Sequence, residues 1–339
     1  MIFYIFFLVV IGMLLYIYSK KMPISKVAQV TSSILLVLLV ICRYDIGYDY
    51  HTYYSFVEDK NMELIEFLFS PFSAYLAYIA VYFDSPHLIF ILFGIPTFVL
   101  ILCGISNNSR NYSLSVFIFI CLFLINFLSV IRQALAVALC FYAYRYIVER
   151  KLFKYLCFVV IAALFHSSAL IVLPFFWLHK IKFRVLFVLS IIFFVLKSIL
   201  FNLFLELDLY TSYLSEDGVI PQGGSFILYF YILLFVFCIL ICSRNKPDNV
   251  TYFLKIIFLG ITFALMFGPH LGERISLYFY IYYVLLIPAI LDSEKYEYRK
   301  YFTKLFYFLF ISYFFLLLSF PFIKGTHSFY VPYKTIFWK

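Results

Sequence analysis

Charge is scarce in this sequence. Only 13% of the 339 residues are Asp, Glu, Lys or Arg, while 65% are hydrophobic. So little polar surface cannot cover a water-soluble domain, and the chain reads as an integral membrane protein. No Walker loop and no GxGxxG turn is present, so neither ATP nor a nucleotide-sugar is expected as donor or cofactor. No internal repeat, low-complexity stretch or soluble segment interrupts the chain, which reads as a single polytopic membrane domain over residues 1–339. The seven cysteines form no CxxC pair and no Cys/His cluster with zinc spacing. They read as small buried hydrophobes, with no structural disulfide and no metal site built on sulfur. The first apolar run, 2–19, has no charge before it and Lys20, Lys21 and Lys26 after it, the reverse of a signal peptide. A retained helix with its N-terminus outside is expected.

Aromatics are abundant, with 46 Phe and 32 Tyr. Many must face lipid, and Tyr suits the interfacial belts. The net charge of +9 does not point to a nucleic-acid partner. Its basic residues lie mostly in short turns between apolar runs, where they set orientation. Those runs are 2–19, 27–42, 63–83, 87–106, 113–130, 131–148, 154–178, 184–203, 225–243, 251–268, 274–291 and 301–320. The expected fold is all-α, with about 10–12 hydrophobic helices.

With the turns 20–26, 107–112, 149–154, 179–184, 244–250 and 292–300 inside, most of the Lys and Arg in turns become cytoplasmic, and the opposite side keeps Arg43, Lys60, Arg132, Arg274 and the tail lysines. Both 149–154 and 179–184 can be inside only if 154–178 does not cross. The alternative, in which 63–83 and 154–178 both cross, puts 149–154 outside and Arg132 inside, against the charge bias. Segment 154–178 is expected to enter, break at His166-Ser167-Ser168 and return as two half-helices of about 12 residues, or roughly 18 Å each. By the same parity, 63–83 is expected to stop short of crossing, with its break at Ser70-Pro71 and with Glu63 and Glu66 at its start. Such broken segments are tolerated at membrane depth only inside protein or beside a cavity. The polar features then collect outside, chiefly in the loops near 43–62 and 205–224.

The first of these loops, RYDIGYDYHTYYSFVEDKN, interleaves Arg43, Asp45 and Asp49 with tyrosines, among them Tyr48. Carboxylates accept sugar hydroxyls or a proton, and flat aromatic rings suit a sugar face. The plain alternative is a solvated loop with an Arg43–Asp45 pair. Arg132 and Gln133 open the next helix. A charge at a helix centre costs about 2.5–3.5 kcal/mol on insertion scales, so Arg132 should meet a wet cavity, a partner or a phosphate. Otherwise it is an anchor that snorkels outward. His166 could act as a base, or merely stabilise the break. His270, Glu273 and Arg274 lie within one turn in PHLGER, where Glu273–Arg274 could equally be a structural pair. The acidic pairs Glu206/Asp208 and Glu216/Asp217 are weak as cation ligands. Three arginines at external helix ends with a histidine in an apolar break suggest an anion site, and a diphosphate needs several charge-assisted donors.

These residues also carry a resemblance. RYDIGYDYHTYY resembles the R-x-x-x-G-x-D-x-x-x-Y loop of the EpsG family of Wzy-like bacterial polysaccharide polymerases. IRQALAVALCFYA, FHSSALIVLP and ERISLYFYIYYVLLIP resemble its later signatures in the same order. NMELIEFLF matches less well, so Glu63 and Glu66 receive no role. The resemblance implies a glycosyltransferase that polymerises capsule, exopolysaccharide or O-antigen repeat units. These units would be undecaprenyl-diphosphate-linked oligosaccharides, joined outside the bacterial cytoplasmic membrane, with other polysaccharide-export proteins as further partners. On that reading Arg43, Arg132 and Arg274 bind diphosphate. His166 is the first choice for the base, and Asp45 or Asp49 the second. Gln133, Tyr48, Glu273 and His270 contact substrate, and no cofactor is required. The alternatives are a flippase for the same lipid-linked sugar and a membrane acyltransferase modifying the glycan.

Overall fold

The computed structural model describes residues 1–60, 70–196, 224–242, 247–323 and 326–337. In chain order the helices are α1 (Ile2–Ser19), α2 (Ser25–Ile41), α3 (Tyr50–Glu58), α4 (Pro71–Tyr82), α5 (Leu88–Asn108), α6 (Tyr112–Ser129), α7 (Ile131–Val148) and α8 (Leu152–Phe165). A 3-10 helix follows at Ser167–Lys180. Then come α9 (Phe183–Val195), α10 (Gly224–Ile241), α11 (Asp248–Tyr280), α12 (Tyr283–Ser293) and α13 (Tyr296–Ile323). The described residues form no strand, and Arg43 and Thr335 make an isolated antiparallel bridge. The chain is an all-α polytopic membrane protein. Among the described residues, five helices are long and apolar enough to cross, and the bent pair Leu271–Tyr280 and Tyr283–Ser293 makes a sixth candidate span. The chain divides into two compact units, residues 1–173 with 303–339, and residues 174–302.

In the first unit, α6 is the central helix. Its apolar residues run all round the helix, the pattern of a helix enclosed by neighbours, and 94% of its span is buried. Asn111 caps its start by accepting from the Leu114 amide at 3.1 Å. Helix ends meet in two sets. At one end, His87 bonds to the Ile41 carbonyl and Arg43 to that of Leu128. At the other, the Ser113 hydroxyl donates to Leu15 O at 2.8 Å, and the Tyr18 and Tyr112 rings lie 5.2 Å apart. Gly104 of α5 lies against Phe141 of α7, where a Cβ would come within 2.8 Å of the ring. The ends of α5 and α7 at Asn108 and Val148 therefore lie together. The turns at 20–25, 109–111 and 149–151 thus share the second end, which carries Lys20, Lys21, Arg110, Arg150 and Lys151.

Two segments double back. α8 ends at His166, whose backbone is extended (φ −155, ψ 113). The Tyr155 hydroxyl then donates to the Val172 carbonyl, 17 residues further along. A straight helix would separate the two by about 25 Å, so the chain reverses at His166. The break stands where the sequence puts it, but the returning arm is a 3-10 helix rather than an α-helix. The second segment lies between Lys60 and Asp84, which pair at 3.0 Å. The chain thus returns to the level it left. Its described arm, α4, has 12 residues, too short to cross. α4 starts with Pro71 in its first turn after an extended Ser70, as proline's fixed φ favours. Glu63 and Glu66 lie outside the described residues.

In the second unit, α11 is a tight hairpin folded at Gly268 (φ 76, ψ −174). Its arms touch through glycines. A Cβ on Gly272 would sit 2.7 Å from Ala264 O, and one on Gly260 would sit 2.5 Å from the Phe279 Cβ. The Ser276 hydroxyl reaches the carbonyls of Gly260 (2.9 Å) and Gly272 (2.6 Å). The apolar runs 251–268 and 274–291 are these arms, the second continuing into α12. The loop near 205–224, with Glu206, Asp208, Glu216 and Asp217, lies outside the described residues apart from Gly224 at the start of α10.

Candidate functional site

The loop after α2 is held on two sides. Asp45 (φ 53) and Gly47 (φ 111) turn the backbone through left-handed conformations. Gly47 lies so close to the end of α6 that a Cβ would meet Leu128 O at 2.5 Å. Only glycine fits both that space and that φ. The Tyr48 amide then donates to Ser129 Oγ at 2.9 Å. On its other side the loop is crossed by the chain end 326–337. Tyr44 N donates to Lys334 O at 3.0 Å, Gly47 N to Phe329 O at 3.0 Å, and Ile336 N to Cys42 O at 2.9 Å. Tyr330 OH meets Ser129 Oγ at 2.6 Å, and the Tyr333 ring stacks on Phe3 with centroids 4.0 Å apart. The tail is therefore a strap over the loop.

Arg43 is enclosed, with only 1% of its surface exposed. Its Nη1 donates to Leu128 O, and its guanidinium lies 5.0 Å from the Phe90 ring centroid. It offers no face to a ligand in this structure and instead fixes the loop to α6. The Arg43–Asp45 pair of the plain alternative does not form. Asp45 instead accepts from His51 Nε2 through Oδ1 at 2.6 Å and from Lys334 Nζ through Oδ2 at 2.5 Å. Burial opposes its charge, but the Lys334 and His51 donors outweigh it and hold the carboxyl below the usual carboxylate range. Asp49 stands half-exposed at the N-cap of α3, and Tyr48 meets Phe329 edge-on at 5.0 Å.

Arg132 is brought to the same end of the first unit. It stands in the first turn of α7, three residues after Ser129. Its Nε lies 3.4 Å from Tyr53 OH, and its guanidinium 5.8 Å from that ring's centroid. Arg132 is half-buried, whereas Gln133 beside it is 2% exposed. His166 stands elsewhere, half-buried at the tip of its hairpin, with Nδ1 2.9 Å from Ser168 Oγ. There it meets the start of α4. Ser73 Oγ donates to Phe165 O at 2.7 Å, and the Phe72 and Phe165 rings lie 5.5 Å apart. Phe165 also touches Phe93, five residues into α5, so the tip lies about 8 Å along that helix from its end.

In the second unit, Glu273 and Arg274 follow the Gly268 turn. Glu273 Oε2 and Tyr280 OH are buried without a hydrogen-bond partner among the described residues. The His270 side chain lies outside the described residues. Two residues of the first unit's site were missed in the sequence. His51 had a signal, standing six residues after Asp45 in the tyrosine-rich loop. Lys334 had none, because only the folded tail brings it back 289 residues. The seven cysteines are free thiols.

Helices long enough to cross, half-length hairpins and polar loops gathered at helix ends define a multi-pass membrane protein. The chain belongs to the EpsG family, a family of Wzy-like polysaccharide polymerases, which matches it over residues 26–335. That match takes in the loop, both hairpins and the strap as far as Thr335. No curated protein and no solved structure matches the chain.

Proposed function

We propose that the protein joins lipid-linked oligosaccharide repeat units at the outer face of the bacterial cytoplasmic membrane, taking the growing glycan from an undecaprenyl diphosphate carrier. The observation that carries this is the two-ended first unit. Lys20, Lys21, Arg110, Arg150 and Lys151 lie at the end opposite the Asp45–Tyr53 loop and Arg132. A basic end is the cytoplasmic one, so the loop faces out, where nucleotide donors are absent and lipid diphosphates are delivered.

Arg132 is proposed to hold diphosphate and to stabilise charge as the carrier leaves. Tyr48, whose amide is held by Ser129 three residues before Arg132, is a proposed lesser contact, and the buried Gln133 would reach substrate only if its side chain were uncovered. Arg43 supports the site from beneath rather than touching phosphate. Arg274, Glu273 and His270 in the second unit are proposed further contacts to diphosphate or sugar. The acceptor's proton goes either to His166 at the hairpin tip or to the loop carboxylates Asp45 and Asp49.

Purified protein in detergent, given repeat units on undecaprenyl diphosphate, is expected to produce a ladder of lengthened chains. The paired hairpin tips at Ser73 and Phe165 favour a second reading, a flippase, because transporters place broken helices at membrane depth. A flippase does nothing in detergent, so a missing ladder with lipid movement in vesicles would replace the first reading with the second.

A further inference from the structure

We propose that Asp45 acts through His51, the two forming a carboxylate–imidazole pair in which His51 takes the proton of the acceptor hydroxyl. The inference rests on the polymerase reading and puts a third group, His51, in place of His166 and the loop carboxylates as the base.

The geometry carries it. Asp45 Oδ1 lies 2.6 Å from His51 Nε2. A carboxylate at that nitrogen fixes the proton on Nε2 and leaves Nδ1 as the lone-pair nitrogen. His51 sits in the first turn of α3, with 74% of its side chain exposed. Its position is set by the Tyr50 ring, which meets the imidazole edge-on at 5.8 Å. Tyr54 is stacked on Tyr50 at 5.8 Å and lies three residues from His51, on the same helix face. Tyr44 meets Tyr50 at 6.0 Å. The exposed imidazole therefore stands near the half-exposed rings of Tyr44 and Tyr54, which suit a sugar face.

Asp45 is poorly placed to be the base itself. Both its oxygens already accept hydrogen bonds, one from the Lys334 ammonium and one from His51 Nε2, and these donors hold it ionised. A carboxylate stabilised in this way is a weak base but a good orienting partner. Its left-handed backbone, fixed by the strap, turns one oxygen toward the strap and the other toward His51.

The acceptor hydroxyl gives its proton to His51 Nδ1, and its oxygen bonds to the anomeric carbon of the donor glycan. The bond from that carbon to the diphosphate oxygen breaks, and the electron pair leaves with the diphosphate. The imidazolium, held by Asp45, then returns its proton to solvent.

The test uses full-length protein in detergent and the undecaprenyl-diphosphate-linked units that accumulate in cells lacking it. His51→Ala is expected to lower the rate of elongation by about 100-fold or more, with little change in KM. Added imidazole should restore part of the loss, which a structural defect would not allow. Asp45→Asn should lower kcat as well, and Asp45→Asn with His51→Ala should be no slower than His51→Ala alone. The exposed side chain leaves no cavity when cut back, and His51→Gln provides a second variant of similar size. Wild-type elongation by His51→Ala, or a loss that imidazole does not relieve in either variant, would overturn the inference and leave the polymerase standing. A wild type that makes no ladder from these units would instead overturn the polymerase reading.

Discussion

Gly47→Ala should be among the most damaging small changes in the first unit. Its φ of 111 lies where an L residue is strained, at a cost of about 1–3 kcal/mol. The new Cβ would also sit 2.5 Å from Leu128 O and 3.1 Å from Leu128 C. That carbonyl cannot retreat, because it ends the enclosed helix α6 and accepts the buried Arg43 guanidinium. Relief must come from the loop, whose amides at Gly47 and Tyr48 hold Phe329 O and Ser129 Oγ. Overpacking of this kind costs about 1–3 kcal/mol more. The sum, about 2–6 kcal/mol, corresponds to a fall of about 4–24 °C in the unfolding midpoint of a unit this size. The midpoint is read by heating detergent-solubilised protein and following the monodisperse fraction, and elongation is read on the same samples. Gly12→Ala is the internal control. Nothing lies within 4 Å of a Cβ there, so the same substitution in α1 should be neutral or stabilising by up to about 1 kcal/mol. Should Gly47→Ala melt within about 2 °C of wild type and elongate normally, the close packing of loop on α6 would be wrong.

Arg132→Lys keeps the charge but loses the planar fork. A lost charge-assisted bond of about 1.5 kcal/mol is about tenfold in rate, so the ladder should shorten, and wild-type chain length would remove Arg132 from the diphosphate site. Tyr155→Phe should destabilise the protein by about 1–3 kcal/mol, because it leaves the buried Val172 carbonyl without its donor. A thermal midpoint equal to wild type would deny that the chain folds back at His166. The strap should loosen in acid. Asp45 has its folded pKa depressed, so its contribution is present above the unfolded carboxylate value of about 3.9 and is lost as pH falls through the lower folded value. Hydrogen exchange at the Gly47 and Ile336 amides should therefore rise only below about pH 4. Asp45→Asn should show faster exchange at neutral pH with no such step, and an identical acid step in that variant would assign it to another group.

What composition and pattern decide alone is considerable here, because a bilayer leaves few alternatives. Scarce charge and long apolar runs dictate helices, since unpaired backbone groups in lipid are too costly for any other single-chain choice among these segments. The bias of lysine and arginine to alternate turns, combined with parity, favoured a chain that doubles back near His166 over one that crosses there, and the Tyr155–Val172 bond is the physical counterpart of that choice. Period and composition did not distinguish an α-helix from a 3-10 helix in the returning arm, because both bury an apolar stripe. The role of each ion in the loop was also beyond reach. Arg43 and Asp45 are two residues apart, and local sequence leaves their pairing and a ligand role equally open. Folding sends them to opposite sides, Arg43 inward to Leu128 O and Phe90, Asp45 outward to His51 and Lys334. That outcome depends on a strap arriving from 289 residues away and on the close approach of Gly47 to α6. Both are contacts between distant segments, whose placement is set by how helices pack rather than by any nearby residue.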